Sequence, residues 1–287
     1  MKFIENGQFA LYAERKLASK EYYKDYLDRK IDSVQFYEAM IADASLANVE
    51  GFSQYNIKRI SLTPPDDKMP TETITKYLLD NNIISKSSVE NMYDGFDEYR
   101  EYIRKNYNHG EFFTCIYPED EQLLYAIAKI AQPKTAFLAG SYYGYFAIWA
   151  MKTIKEKGGT FVLADVDSEV CELSRENFEK LGYGDNVNVY CEDAEKILSE
   201  RTETIDMLLL DATGRWDDPR PEYRGKRIYG SFLKAAKHLL KKGSVIVIHN
   251  MEPENPEMQV LVDELKAINA IGENYDTYNG LGVYYVQ

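Results

Sequence analysis

The chain has 287 residues, and its 47 acidic against 34 basic side chains give a formal net charge of −13. A surface this acidic repels a phosphate backbone or an anionic bilayer, so the composition argues against a general nucleic-acid or membrane-surface binder. Hydrophobic residues make up 45 % of the chain, enough for a sizeable core, and every apolar stretch is shorter than the ~18 residues that a membrane-spanning helix needs.

Cysteine usage and the N-terminal sequence indicate the compartment. Cys115, Cys171 and Cys191 lie far apart without a CxxC pair, which argues against a zinc knuckle or a disulfide framework. We expect all three to be small buried hydrophobic residues in a reducing compartment. The charged N-terminus lacks the apolar run of a signal peptide. These features favour a cytoplasmic protein.

Residues 8 to about 107 repeat apolar residues at helical spacing, beginning with Ala10 and Tyr12. The pattern breaks at Asp32-Ser33, where either residue can cap a new helix, and again at the loop around Pro64-Pro65. Many of the 24 tyrosines lie in this part of the chain. We therefore expect residues 1–110 to form a helical cap or dimerisation region whose tyrosines pack together, and a lid over the substrate is a compatible alternative.

From residue 111 onward the sequence alternates helices with short apolar strands. The predicted strands are 135–139, 160–165, 187–191, 205–211 and 244–249, followed by a terminal pair at 273–278 and 282–286. The predicted helices are 119–131, 145–154, 168–181, 194–200, 228–240 and 256–269. Strands that alternate with crossover helices indicate an α/β domain over 111–287, with a Rossmann-like, doubly wound, mostly parallel sheet. The terminal pair adds one antiparallel edge strand.

Polar residues follow each of the five predicted parallel strands, at the edge where such sheets bind ligands. In the turn after the first strand, Gly140 allows a sharp bend and Gly144 lets the backbone approach a ligand closely. Asp165, after the second, can accept hydrogen bonds from two vicinal ribose hydroxyls. The other strand ends carry Asp193-Ala194, Asp211 and His249-Asn250. Each feature alone is equally typical of a helix cap or turn, but all five in order predict a nucleotide-like cofactor site.

These residues resemble the metal-dependent O-methyltransferases that include the caffeoyl-CoA and catechol enzymes, over about residues 118–287. Residues 139–146, AGSYYGYF, are similar to the family's IGxYTGYS turn, residues 118–124, PEDEQLL, to its PEQGQLL helix start, and Gly282 falls in a tail like its GDGxT hairpin. The resemblance implies S-adenosylmethionine as the cofactor. The cofactor contacts that it implies are Gly140, Ser141, Tyr142 and Gly144 at the methionine part, Asp165 and Val166 at the ribose, Asp193 and Ala194 at the adenine, and Asp211.

The resemblance also implies a divalent metal, held by an Asp after the fourth strand and an Asp-Asn pair after the fifth. Here the corresponding residues are Asp211 and His249-Asn250, and the family's catalytic Lys falls on Gly214. A His in place of a carboxylate shifts the preference from Mg²⁺ towards softer ions. Three hypotheses for His249 stay open: a general base, a metal ligand together with Asp211 and Asn250, or a strand-end His held by a backbone carbonyl.

A long excursion at 211–229 is richer in basic residues than the rest of the chain, and it is longer than in the resembled family. As a solvated loop, it would pair its arginines with nearby acids. As a lid, it would recognise a carboxylate or phosphate on the acceptor. We expect Arg215 and Trp216, together with His109 before the first domain helix, to contact that acceptor.

The expected reaction is transfer of a methyl group from S-adenosylmethionine to a hydroxyl of a small, natural-product-type molecule, with nitrogen or carbon acceptors still open. A short-chain dehydrogenase that uses NAD is disfavoured because the sequence lacks a TGxxxGxG turn and a fitting Tyr-x-x-x-Lys pair. The missing Lys and the altered metal residues favour another rival, a degenerate methyltransferase fold that serves as a binding subunit. We expect a homodimer with a small-molecule acceptor, and no nucleic-acid or membrane partner.

Overall fold

The computed structural model describes residues 14–112 and 116–287. Residues 8–13 of the predicted helical region, with Ala10 and Tyr12, and Cys115 lie outside these ranges. The helices before the sheet are α1 Glu21–Leu27, α2 Ser33–Ala42, α3 Gln54–Ser61, α4 Met69–Asp80, α5 Lys86–Val89 and α6 Phe96–Asn106. The predicted break before α2 is confirmed, because the Asp32 carboxylate caps this helix by accepting a hydrogen bond from the Gln35 amide.

The α/β part begins with α7 Pro118–Ala131 and continues as β1 Thr135–Ala139, α8 Ile148–Glu156, β2 Thr160–Asp165, α9 Ser168–Lys180, β3 Val187–Cys191, α10 Ala194–Glu200 and β4 Ile205–Leu210. It ends with α11 Ile228–Ala236, β5 Leu240–His249, α12 Gln259–Ala267, β6 Ala270–Tyr275 and β7 Leu281–Val286. None of the helices in the described ranges is long and apolar enough to cross a bilayer.

The seven strands form one sheet in the order β3-β2-β1-β4-β5-β7-β6. Strands β1 to β5 pair parallel with one another, and β7 pairs antiparallel with both β5 and β6. The predicted Rossmann-like, mostly parallel sheet is confirmed. The antiparallel strand β7 lies one position inside the edge, which β6 occupies. The strand order reverses direction at β1, so the crevice between the carboxyl ends of β1 and β4 is the topological switch point where ligands bind.

Several element boundaries differ from the prediction. The strand expected at 273–278 is β6 at Ala270–Tyr275, because the chain after it forms the turn into β7, in which the Gly280 amide donates to the Thr277 hydroxyl. Helix α8 begins at Ile148 rather than at residue 145, since the glycine turn continues through the preceding residues. Cys171 is buried as expected, but Cys191 is exposed because it ends the edge strand β3.

The helical N-terminal region divides between two hydrophobic cores. Helices α1 to α3 enclose their own cluster, which includes Leu17, Tyr26 and Phe36. Helices α4 and α6 instead contribute side chains such as Ile74 and Ile103 to the core that covers one face of the sheet. The boundary between the two hydrophobic cores therefore lies between α3 and α4, whereas the sequence placed the end of the helical region near residue 110.

Candidate functional site

The turn after β1 is joined to β2 by backbone hydrogen bonds. The amides of Gly140 and Ser141 both donate to the Ala164 carbonyl at 3.0 Å. Gly140 has φ +80°, and a Cβ on it would lie 2.5 Å from the Ala212 Cα after β4. Any side chain at residue 140 would therefore collide with the chain after β4, so the glycine lets the turn after β1 pack closely against that segment.

Gly144 is required for a different reason from the one expected. Its φ is +85°, and a Cβ there would lie 2.5 Å from Phe178 Cε2 and 2.9 Å from Ser174 Oγ, both on α9. Helix α9 thus fills the space that the glycine leaves. The structure assigns Gly144 to close packing of α9 against the turn, where the sequence suggested a close approach by a ligand.

The Asp165 carboxylate stands at the carboxyl end of β2, directed towards the glycine turn. It accepts hydrogen bonds from the Tyr142 amide at 2.7 Å and from the Asp167 amide at 3.2 Å. Burial raises the pKa of this carboxyl group. Beside it, the side chain of Val166 is 74 % exposed. The crevice therefore presents a fixed carboxylate next to an uncovered apolar surface.

Asp193, at the end of β3, caps helix α10. Its carboxylate accepts a hydrogen bond from the Glu195 amide at 2.9 Å, while Arg220 Nη2 lies 3.9 Å from the other oxygen. The side chain is still 35 % exposed, and Ala194 is buried as the first residue of the helix. The structure thus places both residues at the expected strand end, with the cap role that the sequence left as the alternative.

His249, the last residue of β5, lies between two carboxylates. Its Nδ1 is 2.8 Å from Asp211 Oδ1 and its Nε2 is 3.4 Å from Asp120 Oδ2. Asn279 places its Nδ2 3.1 Å from the same Nε2, and the ring packs against Phe146. Of the two carboxylates, only Asp211 is partly exposed, at 19 % against 0 % for Asp120.

The two acids determine the charge of this histidine. Burial lowers the pKa of His249, but the negative charges of Asp211 and Asp120 outweigh it and raise the pKa to about 10. The two carboxylates therefore favour the protonated ring, and a protonated ring has no lone pair with which to accept a proton. The general-base hypothesis does not fit this arrangement, and the ring is held by carboxylates rather than by the backbone carbonyl of the third hypothesis.

The expected metal ligands do not fit a metal ion either. Both ring nitrogens of His249 are occupied by protein groups, and an imidazolium repels a cation. Within residues 14–112 and 116–287, no cluster of three or more His, Cys, Asp or Glu side chains is arranged to hold a metal. The set Asp211, His249 and Asn250 therefore offers no pocket for a metal ion in this conformation.

Asp120 and Asn279 belong to this cluster, although the sequence did not single them out. Asp120 lies in the first turn of α7, where its Oδ2 also accepts a hydrogen bond from the Tyr117 amide at 2.7 Å. The two residues are 159 positions apart, with Asn279 Nδ2 3.4 Å from Asp120 Oδ2. The sequence does contain one signal for Asp120: an acid three residues after Tyr117 is typical of a capping box at the start of a helix.

The excursion after β4 is a folded loop. Gly214 and Gly225 pair in an isolated antiparallel bridge, and Lys226 Nζ donates to the Ala212 carbonyl at 2.7 Å and to the Tyr229 hydroxyl at 3.0 Å. Tyr223 is buried below it. Lys226 thus reaches the backbone directly after Asp211, although the sequence gave it no such role.

The arginines of the loop pair with acids of the loop and its surroundings. Arg215 forms an exposed ion pair with Asp217 at 2.8 Å, while Arg220 pairs with Asp218 at 3.2 Å and stacks 3.4 Å above the Tyr223 ring. Trp216 is 67 % exposed. These contacts agree with the solvated-loop alternative.

His109 lies on the other side of the glycine turn. Its Nδ1 is 3.1 Å from the Tyr143 hydroxyl, and its ring packs among Tyr107, Tyr143 and Tyr145. Burial lowers the pKa of its imidazole, so the ring is neutral near pH 7. The structure brings His109 to the tyrosines of the turn.

Residues 138–251 match a family model described as a methyltransferase domain. No curated protein matches the chain. Solved structures with a similar fold include the SAH-bound methyltransferase PaMTH1 from Podospora anserina, with 18 % identity and a TM-score of 0.49 over 68 % of this chain and 88 % of that one.

Two others are O-methyltransferases. TomG from Streptomyces achromogenes, solved with SAM, has 16 % identity and a TM-score of 0.48 over 77 % of this chain and 99 % of that one. The O-methyltransferase from Bacillus cereus, solved with SAH, has 17 % identity and a TM-score of 0.45 over 77 % of this chain and 100 % of that one.

The matched segment runs from β1 to the residue after the His249-Asn250 pair. It therefore contains the glycine turn and the polar ends of all five parallel strands. Residues 138–251 are therefore similar to a methyltransferase domain, and they form part of a Rossmann-like, mostly parallel sheet.

Proposed function

We propose that this protein binds S-adenosylmethionine at the carboxyl ends of β1 to β3 and methylates a hydroxyl group of a small molecule. The observation that carries the cofactor site is the Asp165 carboxylate, held by the Tyr142 amide at the carboxyl end of β2. A carboxylate fixed in this way can accept hydrogen bonds from ribose hydroxyls without further rearrangement. The choice of an oxygen acceptor rests on the likeness of residues 139–146 to the O-methyltransferase turn; nitrogen and carbon acceptors are the alternatives.

Exposed apolar surface supports the same placement of the cofactor. Val166 and Tyr142 are among the large hydrophobic side chains that stay exposed, at 74 % and 38 %. Val166 follows Asp165 in the sequence, and Tyr142 donates its amide to the Asp165 carboxylate. An adenosine bound to that carboxylate would cover apolar surface beside it. In this proposal Ser141 and Gly144 complete the turn around the methionine part, while Asp193 and Ala194 border the base.

The donor's sulfonium supplies an already activated methyl group, so the protein needs to align the acceptor and take up its proton. We assign proton acceptance to Asp211, because it is the partly exposed carboxylate of the cluster at the switch point. The acceptor oxygen would form its bond to the methyl carbon as the sulfur–methyl bond breaks, and the hydroxyl proton would pass to Asp211. His249 acts as a positioning residue: its Nδ1–H holds the other Asp211 oxygen at 2.8 Å.

Calorimetric titration with S-adenosylmethionine tests the cofactor site. Asp165→Ala should weaken binding at least tenfold, about 1.4 kcal/mol or more, because charge-assisted hydrogen bonds to the ribose are lost. Asp185→Ala is the matched control, since it removes one carboxylate at an exposed position outside the crevice. Equal affinities for the two variants would refute the assignment of Asp165.

The same titration separates the enzyme from its non-enzymatic rival. A wild-type protein that binds no S-adenosylmethionine up to millimolar concentration would favour a degenerate methyltransferase fold that serves as a binding subunit. Binding, followed by release of S-adenosylhomocysteine in the presence of acceptors, would favour the enzyme. The homodimer remains part of the proposal, and light scattering of the purified protein measures it.

A further inference from the structure

A cavity of about 480 Å³ lies between the N-terminal helices and the edge of the α/β part. Its apolar wall comes from helices α1 to α3 and includes Tyr23, Tyr26, Leu27 and Phe36. The opposite wall is the start of α7, with Glu119, and the turn between β6 and β7, with Tyr117 and Tyr278 close by. This volume falls within the range of about 300–1,000 Å³ that is typical of small-molecule sites.

The charged residues of the cavity all have the same sign. Of the described residues that line it, three are acids, Glu14, Asp67 and Glu119, and none is Lys, Arg or His. Asp67 is paired outside the cavity with Arg100 at 2.8 Å. A ligand that complements this lining therefore carries positive charge on a largely apolar body.

Glu119 is the buried acid of the three. Its residue exposure is 4 %, and the hydrogen bond to its carboxyl group comes from its own backbone amide. Within residues 14–112 and 116–287, no side chain of another residue forms an ion pair or hydrogen bond with it. Buried carboxyl groups are normally paired with a cation, so an uncompensated one that lines a cavity points to a cationic ligand.

The cavity adjoins the proposed reaction site. Glu119 is followed in α7 by Asp120, and Tyr278 is followed by Asn279; both Asp120 and Asn279 contact His249. The same two chain segments thus form a wall of the cavity on one side and hold the His249–Asp211 pair on the other. A molecule in the cavity lies next to the cluster to which we assign proton acceptance.

We propose that this cavity binds the methyl acceptor, and that the acceptor is a small aromatic or aliphatic molecule with a protonated amine whose ammonium group pairs with Glu119. The naming of the ligand as the acceptor rests on the proposed function; the amine specificity rests on the cavity alone. The rings of Tyr23, Tyr26 and Tyr278 supply the apolar walls, and aromatic faces also attract an ammonium group.

A change in the protonation of Glu119 should accompany the binding of an ammonium group in the cavity. Burial and the neighbouring acids Asp120, Asp67 and Glu121 raise the pKa of Glu119 to about 8. Arg59, the cation nearest to Tyr278, stacks on the outside of that ring at 4.1 Å and binds its carbonyl oxygen. An ammonium group beside Glu119 favours the carboxylate, so binding near pH 7 releases a proton to the buffer.

Three matched probes test the amine specificity by calorimetry on the full chain without S-adenosylmethionine: tyramine, 4-ethylphenol and 3-(4-hydroxyphenyl)propionate. We expect tyramine to bind at least tenfold more tightly than the uncharged phenol, and the carboxylate to bind most weakly. The tyramine enthalpy should also vary with the ionisation enthalpy of the buffer, which reports proton release. Equal affinities for tyramine and 4-ethylphenol would overturn the proposal.

Two sets of variants locate the binding. Glu119→Gln removes the charge and keeps the shape, so tyramine should lose its advantage over 4-ethylphenol. Asp185→Asn, at an exposed acid that does not line the cavity, should change nothing. Leu27 lines the cavity yet is 43 % exposed. Leu27→Lys should weaken tyramine binding, and Leu27→Glu should strengthen it. Shifts of the same sign at Leu27, or no loss in Glu119→Gln, would contradict the assignment.

The measurements can refute the amine specificity of the cavity and the proposed function separately. Binding of tyramine with no affinity for S-adenosylmethionine would refute the methyltransferase proposal and leave the amine cavity in place. Binding of S-adenosylmethionine with no preference for the amine would do the reverse.

Discussion

Replacing His249 should change how the stability of the protein depends on pH. The pKa of His249 rises from its ordinary value of 6.5 to about 10 in the folded protein. A group whose folded pKa is raised stabilises the fold fully below its unfolded pKa, and this contribution is lost as the pH rises through the folded pKa. At about 1.4 kcal/mol per pH unit, the protonated ring contributes on the order of 5 kcal/mol below pH 6.5 and nothing above pH 10.

The assay is urea unfolding of the wild type and His249→Gln at several pH values between 6 and 10, where the amide keeps a hydrogen-bond donor near Asp211 but does not titrate. The difference in the free energy of unfolding should shrink steadily as the pH rises, because the other titrating groups are common to both proteins. NMR should show one imidazole that titrates near pH 10 and is missing from the variant. A constant difference, with His249 titrating near 6.5, would refute the charge assignment.

Two further predictions concern the turn and the histidine cluster. Gly144→Ala should destabilise the fold by about 1–3 kcal/mol in urea unfolding, since its Cβ would meet Phe178. Gly158→Ala is the control, because Gly158 also has a positive φ but has nothing within 4 Å of the new Cβ. An equal loss of stability in the two variants would mean that backbone strain alone is responsible. His249→Asp would bring a third carboxylate to Asp120 and Asp211. Mg²⁺ should therefore raise the melting temperature of this variant and not that of the wild type. If Mg²⁺ leaves the melting temperature of the variant unchanged, the argument that His249 supplies the positive charge of this cluster is contradicted.

The strands and their polar ends could be predicted from the sequence because both signals are local. A parallel strand that is buried on both faces is a short apolar run, as in β4, where five of six residues are buried. The residue that ends such a strand must satisfy exposed backbone groups and turn the chain, so Gly140, Asp165 and His249 stand out at once.

The contacts that set the chemistry could not be predicted, because they join distant parts of the chain. The pKa of His249 depends on Asp211 and on Asp120 in α7, which lies far before it in the chain. The role of Gly144 depends on Phe178 in a helix that follows the next strand. In both cases the residue stands out in the sequence, while its contacts are determined by a neighbour that only the fold brings near.

The histidine at the end of β5 also explains how the site can depart from the resembled family without becoming inert. An Asp at residue 249 would place three carboxylates within contact of one another, an arrangement that needs a bound cation to be stable. The imidazolium supplies a positive charge from the protein itself, between Asp120 and Asp211 at 3.4 Å and 2.8 Å. One cation and two carboxylates leave the cluster with a net negative charge beside the crevice, which favours a cationic sulfonium donor over its neutral product. The substitution therefore exchanges a site that requires a metal for one whose charge depends on a histidine staying protonated.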